Sequence, residues 1–166
     1  MADPAFAPSG FDALPPVEVA RKAEDVGVVK AALPTITLFT LGVLAGAFIA
    51  LGAIFSTTVA AGGSSLPYGV ARLLAGLAFS LGLILVVVAG AELFTGNNLI
   101  VMAWAGRRVS TVRLLRNWAI VYVGNFIGAL GTAGLMLVTR QYEFGKGAVG
   151  VTALTIGAAK TGLGFW

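Results

Sequence analysis

Between Lys30 and Arg72 the chain carries no charged side chain, and this run limits the possible folds more than any other feature. A bilayer crossing needs about 20 mostly apolar residues. An ordinary water-facing domain has about a quarter of its residues charged. Here the charged fraction is 11% of 166 residues, against 58% hydrophobic, and the mean hydropathy is +0.94. The chain lacks the polar surface that water demands and reads as an all-α membrane protein. It holds no Cys and no His, which removes disulfides, thiolate chemistry, Cys/His metal sites and histidine acid–base catalysis from these residues. The net charge of +4 does not point to nucleic acid. The basic residues lie at the ends of apolar runs, where they anchor and orient the spans.

The proline-rich residues 1–13 lack Lys and Arg, so they read as a mobile tail rather than a secretory signal. Residues 14–32 read as an amphipathic interfacial helix. Pro16 suits its first turn, Glu18 its positive dipole end, and Val17, Ala20, Ala23 and Val28 share one face. Such a helix lies on the membrane surface or packs on a neighbouring subunit. Residues 33–166 form the transmembrane region, with spans at about 33–59, 70–89 continued by 99–106, 117–138, and an incomplete one at 151–166. Arg21, Lys22, Lys30, Arg107, Arg108, Arg113 and Arg116 fall on one side of these spans. That is seven of the eleven basic residues, so the positive-inside rule places the N-terminus and the "GRRVSTVRLLR" loop in the cytoplasm. Trp104, Trp118 and Trp166 suit interfacial anchoring. Small residues recur at Gly42, Gly46 and Ala50 and at Gly124, Gly128 and Thr132, a spacing that lets helices approach closely.

One stretch breaks the hydrocarbon pattern: "VVVAGAELFTGNNLIVM", Val86–Met102. From Arg72 to Gly90 the apolar run already covers about 27 Å of helix, nearly a full hydrocarbon thickness. Apolar sequence resumes at Leu99 and reaches Arg107, too long in all for one straight span and too short for two. The economical solution is one crossing in two helical pieces joined by irregular backbone. Gly90 and Gly96 permit non-helical dihedrals there, and Thr95, Asn97 and Asn98 can bond the freed backbone groups. Unwound backbone at membrane depth is tolerated only inside protein or along a cavity, and broken helices of this kind build transporter sites. Glu92 costs at least a few kcal/mol in such a place. Its carboxylate either satisfies the loop's own amides or borders a solute path. The Thr95 hydroxyl, donor and acceptor both, either caps a helix or serves a solute.

These residues resemble the formate/nitrite transporter family. "FSLGLILVVVAGAELFTGNNLIV" is similar to that family's signature around its interrupted second span. "FDALPPVEVARKAEDVGVVKA", "NWAIVYVGNFIGAL" and "AAKTGLGFW" extend the match over nearly the whole chain from Phe11. The resemblance implies an aquaporin-like helical bundle of six spans, made from two inverted three-span halves, of which this chain holds the first. It implies a homopentamer in a bacterial or archaeal plasma (inner) membrane, each protomer with its own pore. The implied solutes are small monovalent anions or their neutral acids, with formate first, then nitrite and hydrosulfide. By motif, Phe79 and Leu83 would line one apolar constriction and Leu93 the other. Glu92, Phe94, Thr95, Gly96 and Asn97 would form the pore loop, with Thr95 pointing into the chamber. Lys160 would be the vestibule lysine that attracts anions. The family's central pore His belongs to a second half beyond Trp166, so these residues are expected to be a piece of a longer protein.

A bare carboxylate pays several kcal/mol to enter a dry constriction, and Phe79, Leu83 and Leu93 offer no compensating charge. Passage is therefore expected to be proton-linked, without cofactor or metal. The alternative is a non-transporting structural membrane subunit, with the Gly/Asn break as a kink or protein contact. An enzyme lacks parts here: one carboxylate stands in the apolar region, without a paired acid, His or Cys.

Overall fold

The computed structural model describes residues 14–162, all of it helix, turn or loop with no strand among the described residues. The tail expected at 1–13, Trp166 and the end of the incomplete fourth span lie outside the described residues. In chain order the helices are α1 (Pro16–Ala31), α2 (Thr35–Ala61), α3 (Tyr68–Ala89), α4 (Phe94–Asn97), α5 (Ile100–Ala105), α6 (Thr111–Val138) and α7 (Ala148–Thr161). Short 3-10 turns stand at Gly63–Ser65 and Gln141–Glu143. Helices α2, α3 and α6 are each long and apolar enough to cross a membrane. Helix α7, at 14 residues, falls short of the roughly 20 that a crossing needs.

Helix α6 starts at Thr111, not near Asn117 where the apolar run begins. Hydropathy marks where a helix can enter lipid; capping marks where it starts. Here the Ser110 hydroxyl accepts a bond from the Arg113 amide at 3.4 Å. Arg113 and Arg116 therefore belong to the first turns of α6 rather than to a loop. The Arg116 guanidinium donates to the Leu33 carbonyl at 3.2 Å.

The chain divides into two compact units, each assembled from separated stretches. The first contains α1, residues Thr95–Ala119 and hence α5 and the start of α6. Pro16 opens α1, Glu18 lies in its first turn and Lys30 in its last, matching the helix dipole at both ends. The inward stripe differs from the expected face: Gly27 and Ala31 are buried, whereas Val17 is 64% exposed. Small residues win because α5 comes close, through the Ile100 backbone and the Ala103 methyl. Ala31, Ile100, Ala103, Val109 and Leu114 make the buried cluster, with Val28 and Trp118 against it. Trp118, half-buried, packs against this cluster.

The second unit contains α2, α3, α7 and α6 from Ile120 onward. Helices α2 and α6 touch backbone to backbone along the two small-residue rows. Gly42 meets Gly124, Gly46 meets the Asn125 backbone, and Gly128 meets the Val43 carbonyl. A Cβ at Gly46 or Gly128 would overlap main-chain atoms that cannot rotate away. Gly46→Ala is expected to cost about 1–3 kcal/mol by overpacking and to lower the thermal unfolding midpoint in detergent. Gly131→Ala, in the same helix α6 with open space around it, should be neutral or mildly stabilising.

Candidate functional site

Helix α3 stops at a left-handed residue. Gly90 has φ 64° and ψ 31°, a conformation that a Cβ would strain although nothing crowds the position. The Ala91 amide reaches back to the Val86 carbonyl at 2.9 Å and the Gly90 amide to Val87 at 3.2 Å, which closes the helix end. Residues 91–93 then run without helical bonds before α4 makes a single turn. The irregular stretch is shorter than the Gly90–Asn98 segment anticipated from composition. Gly96 sits inside the α4 turn, so it does not supply a second non-helical hinge.

Helix α2 and the α6 side chain Asn125 satisfy the backbone freed in residues 91–94. The Glu92 amide donates to the Leu41 carbonyl at 3.2 Å. Asn125 Nδ2 donates to the Gly42 carbonyl at 2.8 Å and to the Glu92 carbonyl at 2.9 Å, while its Oδ1 accepts from the Phe94 amide at 2.9 Å. One amide side chain thus ties the interruption to α2 through three bonds. Glu92 is buried, at 4% exposure. Leu93 packs on the cluster of Ala45, Val86 and Ala91, beside Phe48 and Ile49. The Phe94 ring meets Tyr122 edge-on, with centroids 5.5 Å apart.

Phe79 and Leu83 lie one turn apart on α3 and are exposed, and neither belongs to the cluster that holds Leu93. Lys160 is exposed in the last turn of α7. In the first unit Thr95 and Gly96 are exposed, whereas Asn97 and Asn117 are wholly buried and bonded to each other at 2.9 Å. Lys30 Nζ and Trp118 Nε1 also bond Asn97, at 3.4 and 3.0 Å. Just past the middle of α1, Arg108 pairs with Asp25 at 2.6 Å and approaches Glu24 at 3.6 Å. The hydrogen bond to Asp25 is the main cause that raises the Arg108 pKa above its ordinary value.

Asn125 holds the interruption in the second unit, and within the first unit Asn117, Lys30 and Trp118 hold Asn97; sequence reasoning had assigned none of them these parts. The signal was present in the two asparagines, which stand in or at the start of an apolar span, where a neutral amide costs less than a carboxylate but still needs a hydrogen-bond partner. Their partners were not readable, because each bond joins residues distant along the chain.

The family model described as formate/nitrite transporter matches residues 17–166. The chain is 42% identical over 144 residues to the formate channel FocA of Escherichia coli strain K12, covering 87% of this chain and 50% of the relative. It is 35% identical over 126 residues to a probable formate transporter of Methanothermobacter thermautotrophicus, covering 74% and 46%. A solved pentameric formate channel with formate bound superposes with a TM-score of 0.74 at 44% identity, over 79% of this chain and 51% of that one. The chain spans about half the length of the curated relatives it matches.

Asn125→Leu leaves the Phe94 amide and the Gly42 and Glu92 carbonyls without their shared partner. The expected cost is about 2–4 kcal/mol, read as a lower denaturation midpoint in detergent. Asn125→Asp keeps the acceptor for Phe94 but loses both donated bonds, and should also destabilise.

Proposed function

This chain belongs to the formate/nitrite transporter family and is an integral membrane protein, and on that premise we propose that it serves in a channel for small monovalent acids. The helix interruption at Gly90–Leu93 is the observation that carries this reading. A membrane-length apolar helix ends at a left-handed Gly90, and an irregular segment follows in which the Glu92 amide, the Glu92 carbonyl and the Phe94 amide are met by α2 and Asn125. Such an investment in irregular backbone is the means by which membrane proteins offer polar groups to a solute. Formate is the first solute proposed, by likeness to the formate channels above, and nitrite and hydrosulfide come next. The assembly proposed is a homopentamer in the plasma (inner) membrane with a cytoplasmic N-terminus. The excess of basic residues flanking the cytoplasmic ends of the spans supports that orientation.

The mechanism follows from desolvation. A carboxylate passing exposed Phe79 and Leu83 loses water and meets no charge, at a cost of several kcal/mol. The acid form HCOOH loses far less, so passage is linked to a proton taken up with formate and released on the far side. Thr95, exposed at the break, can donate to a carboxyl oxygen or accept from its hydroxyl. Lys160 gathers anions ahead of the constriction by its field. Leu93 is read as the second constriction, and Glu92, Phe94, Gly96 and Asn97 as the neighbouring residues of its loop along the chain. The solute is carried and not transformed, since only its O–H bond forms and breaks.

Labelled-formate uptake into proteoliposomes that hold the intact protein should quicken as external pH falls. Current without proton movement at every pH would remove the proton linkage, and vesicles as tight as protein-free ones would remove transport. Lys160→Ala should lower flux at low formate by roughly three- to ten-fold and leave the flux at saturation nearly unchanged.

A further inference from the structure

Asn117 of α6 is fully buried, and both polar atoms of its side chain are engaged. Its Oδ1 accepts from Asn97 Nδ2 at 2.9 Å, and its Nδ2 donates to the Lys30 carbonyl at 3.0 Å. Lys30 closes the loop, its Nζ donating to Asn97 Oδ1 at 3.4 Å. Trp118 Nε1 adds a bond to the Asn97 carbonyl at 3.0 Å. Both polar atoms of the Asn97 side chain, and its carbonyl, therefore have set partners. A closed ring with both amides buried holds one geometry firmly, because any rotation leaves a buried amide unpaired.

The consequence falls on Thr95. Residues two apart on a helical turn point about 200° away from each other. Burying Asn97 completely therefore turns Thr95 outward. It is exposed there, and its hydroxyl has no hydrogen-bond partner among the described residues. Resting on the transport reading above, we propose that Asn117 is a positioning residue for selectivity: through Asn97 it sets the direction in which the Thr95 hydroxyl meets a passing acid. A hydroxyl held in one direction distinguishes formate from the bulkier acetate, whereas one free to swing serves both alike. Lys30 and Trp118 act in the same frame, each by its bond to Asn97.

The test is a double-mutant cycle in proteoliposomes of the intact protein, with labelled formate and labelled acetate flux measured separately. The proteins are the parent, Asn117→Leu, Thr95→Val and the double variant, each checked for assembly by gel filtration in detergent. In Asn117→Leu the formate-to-acetate flux ratio should fall about five-fold, the weight of one hydrogen bond. On the Thr95→Val background the same change should bring no further fall. Trp118→Phe removes a single bond to Asn97, is expected to shift the ratio the same way, and carries the test should Asn117→Leu not assemble. A residue that only stabilises the fold scales both fluxes together. An unchanged ratio, or an equal fall on the Thr95→Val background, overturns the proposal. Failure of the transport reading shows differently, as a parent protein that passes no formate, and takes this proposal with it.

Discussion

A peptide group without its helical partner, in surroundings that exclude water, costs several kcal/mol, and the structure is arranged around meeting that cost where α3 ends. The Val86 and Val87 carbonyls of the last turn are met by the amides of Gly90 and Ala91, which fold back over the helix end. The groups that follow cannot be met locally. They are met by the Leu41 carbonyl of α2 and by the Asn125 side chain of α6, which also accepts from the Phe94 amide. Without these contacts the cheaper state is an unbroken helix, and an unbroken helix exposes no peptide group to anything.

Those contacts in turn depend on how closely α2 and α6 approach. Asn125 is short, and it reaches the Gly42 carbonyl because the two backbones touch at glycines. The small-residue rows therefore do more than pack two helices. They set the distance at which a side chain on one helix can complete the main chain beside the other. The chain from glycine to hydrogen bond to broken helix runs in one direction, and a Cβ at its start would propagate to its end.

Few ionisable side chains stand near the interruption. Glu92 is the acid of the interruption, and the frame uses its main-chain amide and carbonyl. Thr95 presents a hydroxyl without fixed charge. In the transport reading, a neutral acid passes such a route with little desolvation, while an anion must borrow a proton to do so.

The sequence by itself determined the solvent, the class and the break. Composition leaves no route to a water-facing surface, the uncharged runs mark the helices α2, α3 and α6, and Glu92 with its turn-formers cannot sit in straight hydrocarbon. Motifs in order along the chain were enough to point to the family. These features were legible because they are local: hydropathy, capping and φ preference act within a few residues. Tertiary structure alone decided which side chains hold the break. Asn125 and Asn117 are merely polar residues in an apolar span until folding brings Gly42, Glu92, Asn97 and Lys30 to them. The same holds for Trp118, drawn inward by the Asn97 carbonyl, and for Gly96, which joins a helical turn once Phe94 and Asn97 are anchored. Hydrogen bonds between residues twenty to ninety apart follow from distance and direction in space, and no pattern of near neighbours encodes them.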